Sequence, residues 1–257
     1  MAFVDPIIAK KTNELRKRLR SVDVDGQKFY VAEGDLLIED EKLHEYVPHS
    51  ADLAKPNVPV GSSGDGLLGI MENGKILRWP EGFVLKYRLL PKGFSSDQRA
   101  TLRTNLAAAT GDWEATCAVT FQDVTDEEDD AVFTVRSHDA GGAFIAAAFF
   151  PNSPPAMRQM LIDPSYFSAM GFDMVGVLRH ELGHVLGFRH EHIRSGAPPY
   201  CPRESLDKTI DLTQYDPSSV MHYFCGQVGS RDLAITPIDI EGAQKVYGPP
   251  RSGKRAA

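Results

Sequence analysis

The sequence predicts an α/β fold of the mixed α+β kind. Three observations carry this: short strand-like runs through the first half of the chain, a long helical pattern at 95–116 set among them, and a second helical pattern at 173–187 with histidines four residues apart. The first sixty or so residues read differently from the rest. A charged helical pattern gives way to a strand-like run, KFYVAEGDLLI, and then to an acidic tract, EDEKLHEY. Pro, Gly and Ser gather in PNVPVGSSGDG at 56–66, which reads as a linker or processing loop. The chain therefore divides into an N-terminal segment with its linker (1–75), a main domain (76–250) and a tail (251–257).

Within the main domain, FVLKYRLL at 83–90 has strand composition. The stretch 95–116 starts on Ser and Asp and continues with Leu and Ala at helical spacing. TCAVTFQDV, AVFTVRS and IAAAFF follow as strands, so a sheet with a helix packed on it is expected. DMVGVLRHELGHVLG at 173–187 has apolar residues every three or four positions and a glycine stop at Gly187. Residues 195–235 read as Gly/Pro/Ser-rich loop. TPIDIEGAQKVYG reads as a closing helix, with Thr236 as N-cap, Pro237 in the first turn and Asp239 three residues after the cap.

Composition narrows the function. With 257 residues, 42% of them hydrophobic, the chain has enough apolar side chain for one substantial core. A formal charge of -7, with no long basic run before the last few residues, excludes nucleic acid as a partner. No apolar stretch is long enough to span a bilayer, and the start lacks the positive-then-apolar order of a secretory signal. Three cysteines are too few for a disulfide framework and lack C-x-x-C spacing. Cys201 and Cys225 flank one loop-rich stretch and are candidates for a single bridge, whereas Cys117, in the apolar TCAVTF, reads as a buried, inert thiol.

The chemistry lies on the helix at 173–187. His180 and His184, four apart, project from one helix face one turn apart, so two imidazoles can reach one metal. Glu181 points to the side of that face and can act as general base on a water held by the metal. Gly187 permits the positive φ that turns the chain back and brings His190 in as third ligand. Three neutral imidazoles leave one coordination position open, the mark of a catalytic rather than a structural zinc. A bare H-E-x-x-H arises by chance in many helices; H-E-x-x-H-x-x-G-x-x-H is far more restrictive. His44, His49, His138 and His192 read as solvated or structural, and His222 as close to the site but secondary. Two other classes fit the same residues: a zinc-binding module without catalysis, against which the intact Glu181 argues, and a zinc hydrolase of non-peptide amides or esters.

HELGHVLGFRH at 180–190 is similar to the zinc signature of the metzincin metallopeptidases, and SSVMHY at 218–223 resembles their methionine turn, with Met221 as the turn methionine. The S-x-M-H-Y form and GFRHEH most resemble the astacin family, and the likeness spans 76–249. It implies a zincin-like catalytic domain: a twisted sheet over a substrate cleft, one catalytic Zn2+ per chain, and hydrolysis of protein or peptide substrates by a monomer. It also implies that Tyr223 binds zinc at rest and then hydrogen-bonds the tetrahedral intermediate. IAAAFFP at 145–151 looks more like the matrixin branch, which implies substrate pairing along Ala146, Ala147 and Ala148. Matrixins place a structural-zinc histidine where this chain has Ala147. The cysteines depart from the two-bridge astacin pattern. The N-terminal segment resembles an astacin propeptide, whose F-x-G-D motif blocks the metal; Ala32-Glu33-Gly34-Asp35 keeps the Gly-Asp and makes Asp35 the latch residue of a zymogen. Glu191 matches the astacin glutamate that pairs with the freed N-terminus. Disulfide potential and propeptide-like organisation point to export, while the lack of a visible signal points to a removed leader, an unusual secretion route or a cytoplasmic life.

Overall fold

A computed structural model describes residues 6–46, 67–127, 130–168, 171–194, 196–199, 201, 206, 208–225 and 227–251. The expected linker at 56–66, His49 and the end of the tail lie outside them. Helix α1 (Pro6–Arg18) leads into an antiparallel sheet of β1 (Arg20–Val24), β2 (Gln27–Ala32) and β3 (Leu36–Glu39), followed by a 3-10 turn at Asp40–Tyr46. Asp25 and Gly26, at φ +54° and +80°, form the two-residue hairpin between β1 and β2.

Strands β4 (Leu68–Glu72), β5 (Lys75–Ile76) and β6 (Val84–Leu89) follow; β4 falls before the boundary expected at 76, yet it pairs with Phe188–Arg189 and Thr209–Asp211 of the main domain. Helix α2 (Ser96–Thr116) opens with a capping box in which Ser95 and Gln98 satisfy one another's backbone N–H. Then come β7 (Thr120–Asp123), β8 (Phe133–Ser137), β9 (Ala146–Ala147), β10 (Gln159–Ile162), α3 (Met174–Val185), β11 (Phe188–Arg189), β12 (Thr209–Asp211) and α4 (Pro237–Tyr247). The central sheet runs β7-β6-β8-β10-β9, parallel except for the antiparallel edge strand β9. The strands expected at 83–90, 116–124 and 131–137 are present, and IAAAFF contributes the short edge. Strand β10, a fully buried run of four residues, was not anticipated and joins β8 to that edge.

One core unites the sheet with α2, α3 and α4 through Leu102, Trp113, Phe133, Met160, Leu178 and Ala243. Trp113 fixes α2 against α3: its indole N–H donates to the Arg179 carbonyl at 2.9 Å, and its ring stacks 5.7 Å from that of Phe188. A second sheet forms where β4 pairs with both β11 and β12. No helix among the described residues is long and apolar enough to cross a membrane.

Strand β3 and the end of β2 are buried on both faces, whereas β1 exposes one. Phe29, Val31 and Leu37 pack with Phe144, Ala147 and Leu161 of the main domain. On the other face Tyr30, Leu36 and Ile38 pack with Leu43 and Phe150, flanked by Leu15, Leu19, Ile70 and Leu77. The β2–β3 turn is thereby set against the edge strand and the C-terminal half of α3.

Candidate metal centre and active site

Asp173 caps α3, its carboxylate accepting from Gly176 N–H at 2.6 Å. The helix ends after Val185, and Gly187 at φ +97° reverses the chain as expected. That turn carries His190 back to His180 and His184. The Nε2 atom of His190 lies 3.0 Å from that of His180 and 3.2 Å from that of His184. The remaining ring nitrogens settle the tautomers. His180 Nδ1–H donates to the Val220 carbonyl at 2.7 Å and His184 Nδ1–H to the Phe188 carbonyl at 2.8 Å. A backbone carbonyl only accepts, so these two Nε2 atoms point bare lone pairs at a common centre. Converging lone pairs repel unless a cation sits between them, so the donor set fits zinc.

Asp35 completes the set. Its carboxylate oxygens lie 3.2–3.5 Å from all three Nε2 atoms, and the four donor atoms fall within 4.8 Å of one another. Three imidazoles and one carboxylate make a four-donor zinc site. The latch residue expected from the sequence is thus brought to the metal position. Gly34, at φ +102°, allows this approach: a Cβ there would lie 2.6 Å from the Tyr223 hydroxyl.

Glu181 is buried beside the cluster, and its Oε2 has no hydrogen-bond partner among the described residues. Burial, with the Asp35 carboxylate adding to it, pushes the Glu181 carboxyl well above its usual range. Tyr223 lies over the site, its ring centroid 4.4 Å from that of His190 and 5.7 Å from that of His180. Its hydroxyl donates to Asp35; burial and that carboxylate raise its pKa well above normal. His192 stacks on Tyr223 at 4.6 Å, with its ring 4.9 Å from that of His190, and is buried, which makes it structural rather than solvated. His222 Nδ1–H donates to the Tyr223 carbonyl while Nε2 accepts from the Tyr215 hydroxyl at 2.8 Å, a supporting role.

The methionine turn lies beneath α3, with Met221 fully buried against Gly183 between the two helix ligands. Asp239 holds this turn. Besides closing the capping box of α4 with Thr236, its carboxylate accepts from the Ser219 hydroxyl at 2.6 Å and from Val220 N–H at 2.9 Å. Val220 is the residue whose carbonyl orients His180, so the closing helix reaches the metal centre through one backbone unit. Sequence reading identified Asp239 only as a capping residue. Cys201 and Cys225, the candidates for a single bridge, do form a disulfide, tying the loop at 201 to the chain after the turn, and Cys117 is free and buried.

Two contacts of the N-terminal segment escaped the sequence. Ala148 N–H donates to the Asp35 carbonyl at 3.1 Å and its carbonyl accepts from Leu37 N–H at 2.9 Å, so residues 35–37 lie parallel along the edge expected to receive substrate. Glu33 is buried with its carboxylate shared between the Arg189 guanidinium and His190 Nδ1. Burial opposes its ionisation, but Arg189 and His190 outweigh burial and hold it down at about 2. Nothing local in the sequence marks Glu33, because both partners lie more than 150 residues away. A cavity of about 390 Å³ opens next to Glu181 and is mainly apolar, with Ile145, Phe172, Val177, Phe224 and Leu233 on its walls.

A family model described as matrixin matches residues 78–248. Among curated proteins, bone morphogenetic protein 1 of Xenopus laevis is 29% identical over 255 residues, covering 84% of this chain and 33% of its own length. Tolloid-like protein 2 of Homo sapiens is 34% identical over 161 residues, with 56% of this chain and 14% of its own length covered. Zinc metalloproteinase nas-14 of Caenorhabditis elegans is 29% identical over 163 residues, covering 56% of this chain and 29% of its own length. The chain spans a third or less of the length of these relatives. Among solved structures, that of myroilysin shares the fold with a TM-score of 0.50 at 18% identity, covering 66% of this chain and 95% of that one.

Proposed function

The chain belongs to the matrixin family, within the metzincin zinc metalloendopeptidases, and on that premise we propose how its own residues divide the work and how its N-terminal segment keeps it latent. His180, His184 and His190 hold the zinc, as their converging nitrogens support. Bound there, zinc supplies Lewis acidity, which polarises a peptide carbonyl and lowers the pKa of water to roughly 7. Glu181 takes the proton of the attacking water and passes it to the leaving amine; a carboxyl whose pKa is pushed upward by burial suits both steps. Tyr223 donates its hydroxyl to the oxyanion of the tetrahedral intermediate. Protein or peptide substrate lies extended along Ala146–Ala148, its side chain on the leaving-group side of the cleaved bond facing the apolar cavity beside Glu181.

One observation carries the latency. The fourth metal position, the Tyr223 hydroxyl and the Ala148 edge are all engaged by three consecutive residues, 35–37. Asp35 replaces the water, occupies the oxyanion donor and anchors a strand on the substrate edge. Removal of the segment frees all three. Glu191 supports the same reading: it is buried, its Oε1 accepts from Arg194 at 3.1 Å and from Asp216 N–H at 3.0 Å, and its Oε2 has no partner among the described residues. A freed N-terminal ammonium is the natural complement of that oxygen. The disulfide supports an exported enzyme, and a site complete within one chain supports a monomer.

Zinc content by mass spectrometry, beside peptide hydrolysis by the intact chain, the trimmed chain and Glu181→Ala, tests this. We expect one zinc per chain, low activity until trimming, and a loss of about 10²–10⁴-fold in kcat/KM for the variant. Stoichiometric zinc with no cleavage of any peptide after trimming would sink the endopeptidase assignment.

A further inference from the structure

The three ligand histidines are not supported alike. The outward nitrogens of His180 and His184 donate to the Val220 and Phe188 carbonyls, both part of the main domain. The outward nitrogen of His190 donates to Glu33 Oε2 at 2.9 Å, a residue of the N-terminal segment. Glu33 has no exposed side-chain surface, and its other oxygen is held by Arg189, the neighbour of His190. Glu33 and Gly34 both adopt positive φ, +54° and +102°, and this double kink places Glu33 and Asp35 on opposite edges of one imidazole. Glu33 takes the Nδ1 edge and Asp35 the Nε2 edge, 3.2 Å away. A non-glycine residue persists at positive φ only where its surroundings over-determine it, and here the fixed partners are Arg189 and His190.

A carboxylate on the outer nitrogen of a metal-bound histidine fixes the ring and raises its basicity. We propose that Glu33 is a positioning residue for the metal: the N-terminal segment lends His190 its carboxylate partner, so the latent chain holds zinc more tightly than the chain from which the segment has been removed. This rests on the latent zinc-peptidase assignment and adds a role distinct from that of Asp35, which blocks the site from the other side. The segment then both silences the enzyme and retains its metal until activation.

The test is equilibrium zinc affinity, measured by chelator competition on the full-length chain and on Glu33→Ala, Asp35→Ala and the double variant. Glu33→Ala is expected to weaken zinc binding by about 10–100-fold. Because the effect runs through His190, the same loss is expected when Glu33→Ala is added to Asp35→Ala. Glu33→Gln, whose amide oxygen still accepts from Nδ1–H, should fall in between. If Glu33→Ala does not fold, Glu33→Asp, too short to span both partners, reads the same loss. Affinity within twofold of the parent, or a Glu33 effect that disappears in the Asp35→Ala background, would overturn the proposal while leaving the latch intact. A parent chain that binds no zinc would instead overturn the zinc-peptidase assignment on which it rests.

Discussion

Along β6, half-exposed and buried residues alternate from Val84 to Leu89, whereas all four positions of β3, Leu36 to Glu39, are buried. The first pattern belongs to a strand whose faces differ; the second belongs to a strand covered on both faces. The N-terminal sheet supplies part of its own cover, through Leu15, Leu19 and Leu43, and takes the rest from Phe144, Ala147, Phe150 and Leu161 of the main domain. The main domain has a continuous core that contains no residue of 6–46. The latency proposed above needs this asymmetry: a catalytic part with a core of its own, and an inhibitory segment held by the surface it would block.

Disturbing each core in turn tests the contrast. Trp113→Ala removes the indole that joins α2 to α3 and should cost about 3–5 kcal/mol of global stability in denaturant unfolding. Zinc should be lost in the same transition. Phe29→Ala should cost about 3 kcal/mol, roughly a hundredfold in the balance between docked and open segment. Its expected signature is peptidase activity in the uncut chain with the main unfolding transition unmoved. If that transition moves with it, the two regions form one cooperative unit and the contrast falls. Asp239→Asn keeps the shape but replaces one acceptor oxygen with a donor facing Ser219 or Val220, for about 1–3 kcal/mol in thermal unfolding. The smallest effect is expected at Cys117. Burial pushes its thiol up to about 12, so at pH 8 only about one molecule in 10⁴ carries a thiolate. Iodoacetamide should leave Cys117 unmodified in the folded chain and alkylate it after denaturation.

What could be read from the sequence follows the range of each signal. Ser95 and Gln98, Asp173 and Gly187, and the histidines of α3 announce themselves within a few residues, and their elements stand where expected. Strand β10 did not, because four buried residues with no alternation carry no period. Strand β4 was hidden for the same reason: its burial runs in a block rather than alternating. The Asp25-Gly26 hairpin is by contrast locally encoded, by an Asp-Gly pair at positive φ. The metal ligands and Glu181 were legible because the spacing of a helix is itself geometry. The placement of Asp35 rested on a likeness to a propeptide motif. Glu33 and the second role of Asp239 depend on partners 157 and 19–20 residues away, which no local pattern encodes.

The strand formed by residues 35–37 has a consequence for handling the protein. Ala148 closes its N–H and C=O against that strand, and a sheet edge left with unpaired backbone groups is a template on which other chains add themselves. On the proposed reading the segment would act as an edge guard as well as an inhibitor. The uncut chain is the form that should tolerate high concentration, and the trimmed enzyme the form that self-associates unless a peptide lies along its edge.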